Sequence, residues 1–278
     1  MDKSIVIEPG NEAANYWKDI WHFRSLFYFL AWRDVLVRYK QTTIGIAWSI
    51  VRPLLTMLVM AGIGWIFNAP IPNGIPRLLW VCAATLPWQF FSSAFSESSG
   101  SLVANANLLT KVYFPRMIVP ISSVIVCVFD FLISVSIMLV AMWYYQYMPA
   151  LQIVWLPFFM VLLFIIALGS GLFIAALNVK YRDFRYVIPF IVQFGLYVSP
   201  ISFSSTDVLQ HAGIPSYIKL LYMLNPVVGV IDGFRWCIFG NISIQWTSVI
   251  ISVICAFGIL MLGIFNFRRM EKSFADVI

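Results

Sequence analysis

Long apolar runs, separated by short polar and basic breaks, set the pattern of this chain. The first run covers residues 48–67, with Arg52-Pro53 near its start, where a proline is tolerated in a first helical turn. Pro70, Pro72, Asn73, Gly74 and Pro76 then mark a turn. A second run, 78–97, is free of charge until Glu97, and a third, 117–148, holds one charge, Asp130, about halfway along. Pro149 divides it from a fourth run, 151–177; a fifth covers 187–203 and a sixth 246–267. A helix of ~20 apolar residues crosses a hydrocarbon core ~30 Å thick. Runs three and four exceed that length and are expected to tilt or protrude. The pattern predicts an all-α integral membrane protein with six transmembrane helices.

Composition supports lipid as the main solvent. The chain is 61% hydrophobic, 17% aromatic and 11% charged, where a soluble domain carries roughly 25% charged residues. Six spans within 278 residues leave no room for a sizeable soluble domain. Cys82, Cys127, Cys237 and Cys255 lie scattered in apolar sequence without a Cys-x-x-Cys pair, and read as small buried hydrophobes.

The cations fix the orientation. Lys3, Lys18, Arg24, Arg33, Arg38, Lys40 and Arg52 precede or open the first span. Lys111 and Arg116 lie between spans two and three, and Lys180, Arg182 and Arg185 between spans four and five. Arg268, Arg269 and Lys272 follow span six. With six spans all of these share one side, and only Arg77, Lys219 and Arg235 fall opposite. The positive-inside rule puts that side, and both termini, in the cytoplasm. The net charge of +6 therefore reflects topology and anionic lipid, not nucleic acid.

Two segments do not span. Residues 17–41, within a cytoplasmic N-terminus covering 1–47, mix Trp17, Trp21, Phe27 and Trp32 with five cations, which suits an amphipathic interface helix in the headgroup layer. Residues 213–240 are apolar but contain Lys219, Asn225-Pro226, Asp232 and Arg235. A seventh crossing there would carry the basic tail, 268–278, to the wrong side. We read them as outer re-entrant helices broken at Asn225 and Pro226, with Asp232 and Arg235 near the outer surface.

Catalytic chemistry is missing from the pattern. There is no phosphate-binding Gly-x-x-x-x-Gly-Lys-Ser/Thr loop, no His-Glu-x-x-His, no metal-ligand set, and only two distant histidines, His22 and His211. Asp130 is expected to face the bundle, because a charge at mid-membrane costs ~3 kcal/mol. Glu97 is expected to pair with Arg52 or Arg116.

Four stretches in order carry a family resemblance. Arg33 to Gln41 leads into Gly45, Trp48 and Arg52-Pro53. Residues 105–116 form a short amphipathic cytoplasmic elbow containing Leu108, Lys111, Val112, Tyr113 and Arg116. Lys180-Tyr-Arg-Asp-Phe-Arg-Tyr186 forms a second loop, and Leu224 to Trp236 the outer broken segment. Together they resemble the permease subunits of ABC-2-type polysaccharide exporters, closest to the O-antigen (lipopolysaccharide) branch. Capsule or teichoic-acid glycan, a drug or another lipid are alternative cargoes, and a membrane-embedded transferase is a further alternative class.

The resemblance implies a homodimeric pore in the bacterial inner membrane, with two copies of a separate ATPase docked beneath it. ATP and magnesium would sit on that partner, with no cofactor in this chain. The cargo would be polysaccharide on undecaprenyl pyrophosphate, moved from cytoplasm to periplasm. Residues 105–116 would be the coupling helix: Leu108, Val112 and Tyr113 would anchor it, Lys111 and Arg116 would rim it, and Lys180, Arg182, Asp183 and Arg185 would make a second ATPase contact. Arg38, Lys40 and Arg52 would hold the pyrophosphate and lipid head. Trp88, Phe91 and Phe95 on span two, and Phe190, Phe194 and Tyr197 on span five, would line the glycan channel.

Overall fold

Prolines place many of the helix starts. Pro76 precedes one helix, Pro157 lies in the first turn of another, Pro215 precedes a third and Pro226 opens a fourth. A first turn has no use for the N–H that proline lacks. The computed structural model describes residues 12–40, 46–72, 74–272 and 274. Among them the order is α1 (Glu12–His22), α2 (Arg24–Lys40), α3 (Ile46–Ile66), α4 (Arg77–Ala104), α5 (Ala106–Lys111), α6 (Ile118–Tyr144), α7 (Leu156–Lys180), α8 (Phe184–Val198), α9 (Ser205–Gln210), α10 (Ser216–Met223), α11 (Pro226–Phe239) and α12 (Trp246–Glu271). A single 3-10 turn, Leu151–Trp155, leads into α7, and no strand occurs among the described residues.

Five of these helices are long and apolar enough to cross a bilayer: α3, α4, α6, α7 with its leading turn, and α12. The expected fifth span is α8, and it is shorter than its apolar run. It stops at Val198 because Ser199 precedes Pro200 and is held extended, at φ −79° and ψ 149°. At 15 residues α8 reaches only ~22 Å. Its end nevertheless arrives at the far side of the bundle, where the Ser202 hydroxyl donates to the Met60 carbonyl of α3 at 3.2 Å. The described residues are thus helical throughout their elements, with five helices long enough to span and α8 a shorter apolar helix beside them.

The span boundaries differ in an informative way. Arg77, which donates to the Gly64 carbonyl, opens α4 at the end opposite the basic loops. Glu97 lies twenty residues on, ~30 Å along the helix, or one hydrocarbon thickness. The helix then continues to Ala104, beyond the apolar run that ended at 97. Arg38 of α2 joins Glu97 to Asp130 of α6, so Asp130 lies level with Glu97.

The N-terminal segment is two helices, with a break at Phe23, in place of one flat interface helix. Leu30 and Ala31 of α2 are buried against the bundle, while Tyr28, Phe29, Trp32 and Val37 remain exposed. At the far end, α10 and α11 meet at a 73° bend. Asn225 caps α11, its Oδ1 accepting from the Val227 N–H at 3.1 Å, and Pro226 forbids a continuous helix. Helix α11 touches the far ends of its neighbours: Gly229 lies against Ser248 and Ser252 of α12, Gly233 against Phe159 of α7, and the Ile238 carbonyl accepts from the Ala150 N–H. These contacts fit a re-entrant pair better than a seventh crossing.

Two hydrophobic cores result. The larger runs through the membrane part of the bundle and includes Leu79, Trp80, Phe131, Leu163, Val230 and Phe234. The smaller lies at the basic end and gathers Leu30, Leu102, Leu109, Phe114, Ile118, Ala176, Phe267 and Phe274. Between α7 and α12 the backbones nearly touch: a β-carbon at Gly263 would lie 2.2 Å from the Gly169 carbonyl oxygen. Small residues permit this approach where lipid supplies no hydrophobic drive between helices. Gly263→Val should therefore destabilise the protein by ~1–3 kcal/mol or more through forced separation, seen as a lower melting temperature in detergent. Gly258→Val on the same helix, where an added β-carbon meets nothing within 4 Å, should melt like the unsubstituted protein.

Candidate functional site

The elbow between α4 and α6 is built on the basic-end core. Helix α5 is only six residues long, and the chain then runs irregularly to Met117. Leu109 and Phe114 point into the core, with Leu108 half-buried beside them. Lys111, Val112 and Tyr113 face outward, and Tyr113 is 69% exposed. Of the three expected anchors, Val112 and Tyr113 are thus exposed. Leu108 instead helps to seat the elbow.

Arg116 is not a free rim cation. Its backbone N–H donates to Glu271 Oε1 at 3.0 Å, and its guanidinium donates to the Glu271 carbonyl at 2.9 Å. The Tyr16 hydroxyl of α1 donates to the same carboxylate at 3.2 Å. Burial, and next the Glu271 charge, hold the Tyr16 phenol well above its ordinary pKa, so it stays protonated and donates. Arg268 lies 4.7 Å from the Tyr16 ring centre, and Phe274 packs edge-on against Phe267. One carboxylate therefore ties α1, the elbow and the end of α12 together. Sequence reasoning missed Glu271 and Tyr16, since neither belongs to a periodic pattern.

In the second loop Lys180 lies over the Tyr181 ring at 5.3 Å, and Arg182 and Asp183 are exposed. Arg185 also lines a hollow of ≈ 570 Å³ between α4 and α8, together with Ser96, Gly100, Val103, Ala104, Asn178, Ile188, Pro189 and Val192. Across the Ser96, Gly100 and Ala104 face of α4 lies a second, polar cavity of ≈ 480 Å³. Arg33, Asp34, Arg38, Glu97, Ser101, Asn105 and Ser123 are among its lining residues.

Of the expected pyrophosphate cations, Arg38 and Arg52 share no partner among the described residues. Arg38 is held by Glu97 at 2.5 Å and by Asp130, and the Ser49 hydroxyl donates to Asp130 at 3.4 Å. Its charge is thus committed inside the chain. Arg52 is exposed on α3, and the Lys40 side chain lies outside the described residues. Glu97 pairs with Arg38 in place of the expected Arg52 or Arg116. Asp130, lacking an evident partner in sequence, finds one ninety-two positions earlier in the chain.

The two aromatic faces separate sharply. Trp88, Phe91 and Phe95 are 4%, 8% and 2% exposed, stacked within the protomer, with the Trp88 ring against Gly195 of α8. They are core, not channel lining: helical spacing alone does not tell the two apart. Phe190, Phe194 and Tyr197 are 66%, 59% and 61% exposed, with the first two rings stacked at 5.8 Å. Of the two faces, only the α8 face is exposed on this chain.

At the far end Arg235 is buried, not surface-lying. It donates to the Ile201 and Phe203 carbonyls at 2.9 and 3.0 Å and lies 3.9 Å from the Trp80 ring centre. Asp232 accepts from the Ser205 hydroxyl at 2.6 Å. These residues pin the chain that follows α8 onto α11, so their role is to shape the far end. No metal-ligating cluster occurs among the described residues.

Glu271→Ala should release Arg116 and Tyr16 together. The expected result is faster proteolysis after Arg116 and Arg268 in the detergent-solubilised protein, at unchanged helix content by circular dichroism. Glu271→Gln, which keeps an acceptor for Tyr16 and Arg116, should show a smaller change.

The ABC-2 type transporter family matches residues 25–239 of this chain. It is similar to the O-antigen export system permease protein RfbA of Klebsiella pneumoniae, at 27% identity over 248 residues, 88% of this chain and 92% of that one. RfbA of Myxococcus xanthus is 25% identical over 219 residues, covering 78% and 82% of the two chains. The capsule polysaccharide export inner-membrane protein CtrC of Neisseria meningitidis is 23% identical over 256 residues, covering 88% and 90%. With a helical membrane bundle, an exposed apolar elbow at its basic end and a family match across most of its length, the chain belongs to the ABC-2 type transporter family.

Proposed function

We propose that this chain is the channel-forming permease subunit of an ATP-driven exporter of O-antigen polysaccharide. Two copies form the pore in the bacterial inner membrane, with both termini in the cytoplasm. Two copies of a separate ATPase chain, carrying ATP and magnesium, bind the basic end. The cargo is polysaccharide on undecaprenyl pyrophosphate, passed from cytoplasm to periplasm. The chain itself supplies a path and a mechanical linkage, and no catalytic group.

The observation that carries this reading is the elbow. Val112 and Tyr113 are large apolar side chains exposed beside Lys111, on the end of the bundle where the basic residues cluster. Exposed apolar groups rimmed by charge mark a protein contact. The elbow is seated rigidly on the basic-end core and tied by Glu271 to α1 and α12. A push on Tyr113 would therefore reach the bundle and not be lost in a soft loop. The exposed Phe190, Phe194 and Tyr197 face fits a glycan path, since sugar C–H faces slide over aromatic rings without a fixed hydrogen-bond register.

The O-antigen names of the relatives at 25–27% identity favour that cargo. The capsule exporter at 23% identity supports a second reading, in which the cargo is a capsule glycan.

The test is Val112→Ser with Tyr113→Ala, which leaves the half-buried Leu108 in place. Membrane abundance should equal that of the unsubstituted chain. Surface polysaccharide should fall at least ~10-fold, with lipid-linked glycan accumulating inside; each 1.4 kcal/mol lost at such a contact is a factor of ten. Export at the normal rate by the doubly substituted chain would remove the elbow from the mechanism.

A further inference from the structure

Two opposite charges lie one turn apart at the far end of the bundle and do not pair with each other. Asp232 and Arg235 are three residues apart on α11, a spacing that puts them on one face of the helix. Arg235 is buried and Asp232 half-buried. No ion pair joins them among the described residues. Both charges are spent instead on the chain that follows α8. Arg235 donates through Nη1 to the Phe203 carbonyl and through Nη2 to the Ile201 carbonyl, and Asp232 Oδ2 accepts from the Ser205 hydroxyl. The Arg235 Nε is buried with no hydrogen-bond partner among the described residues, so one donor of the guanidinium is unused in this arrangement. Unpaired buried polar groups of this kind are uncommon.

The segment held in this way, residues 199–204, joins α8 to α9 and is not helical. Its other ties are weaker and neutral: Ser199 Oγ accepts from Asn225 Nδ2 at 3.4 Å, and the Ser202 hydroxyl donates to the Met60 carbonyl at 3.2 Å. Much of its anchorage therefore rests on the two charges of α11. Charges left uncompensated in a buried setting are costly, so simple release of the segment is opposed by both. Side chains at i and i+3 of a helix can reach each other, and the unused Nε supplies a donor for that contact. Once paired, each charge compensates the other without the segment.

We propose that Asp232 and Arg235 form a charge switch that clasps and releases the chain after α8. In the clasped state the two charges hold residues 201, 203 and 205. In the released state they pair with each other, and the segment comes away from α11 together with the end of α8. The Trp80 ring, 3.9 Å from the guanidinium, supports Arg235 in both states. The switch is independent of the cargo and of the export reading. It makes the far end bistable, since every charge has a partner in each state.

The experiment uses the purified full chain in a neutral maltoside detergent, with Ser199→Cys as reporter and a charged maleimide as label. Ser199 is buried, so labelling follows release, and the four native cysteines set the background. Asp232→Asn keeps an acceptor for Ser205 but cannot form the ion pair; labelling should slow at least ~5-fold. Ser205→Ala removes a clasp contact and leaves the pair intact; labelling should quicken ~5-fold. A static strut predicts the opposite sign for Asp232→Asn, because a neutral amide holds Ser205 less firmly than a carboxylate. The exchanged chain, Asp232→Arg with Arg235→Asp, keeps the pair and loses the clasp. It should label at least ~10-fold faster with unchanged helix content by circular dichroism. Labelling of Asp232→Asn as fast as the reporter chain, or faster, overturns the switch. So does loss of helix content in the exchanged chain, which would mean that the two charges have no partner other than the segment.

Discussion

A guanidinium shared between two carboxylates organises the basic half of this protein. Arg38 reaches from α2 to Glu97 on α4 and Asp130 on α6, and Ser49 brings the start of α3 to the same point. Hydrocarbon supplies no hydrogen bonds, so ionised groups near it must find each other or stay at its edge. Here they find each other. The cluster lies twenty residues, ~30 Å, along α4 from Arg77. Beyond it the helices continue into a second core that carries the elbow.

That division gives the molecule two mechanical parts. The membrane core is held by close helix crossings, as at Gly169 and Gly263, and by α11 wedged among the far ends of α4, α7 and α12. The basic-end core is held by side chains from distant segments, with Glu271 as the junction between α1, the elbow and α12. The elbow is thereby attached through its own core to the ends of α1 and α12.

Much of this was legible in the sequence. Apolar runs and prolines marked the helices, and the break at Asn225-Pro226 marked the bend between α10 and α11. The elbow was legible because Lys111 and Arg116 interrupt the apolar pattern between two long runs. What stayed hidden depends on where helices meet. Trp88, Phe91 and Phe95, three and four residues apart, and Phe190, Phe194 and Tyr197, four and three apart, both follow the helical period, yet one set faces the core and the other faces out. Asp130 read as a lone charge in a long apolar run because its partner, Arg38, lies ninety-two positions away in the chain. Arg235 read as a surface charge, since its two carbonyl acceptors, on Ile201 and Phe203, become available only through the turn after α8. Glu271 carried no periodic signal at all.

The shared guanidinium is best tested by exchanging charges. Arg38 and Asp130 side chains are about a third exposed, at 30% and 27%, so the pair is worth about 1–3 kcal/mol, below the range for fully buried pairs. Melting temperatures in detergent should fall for Arg38→Asp and for Asp130→Arg, and rise again when the two are combined, a positive coupling in a double-mutant cycle. A combined variant no more stable than the sum of its two single losses would contradict the account.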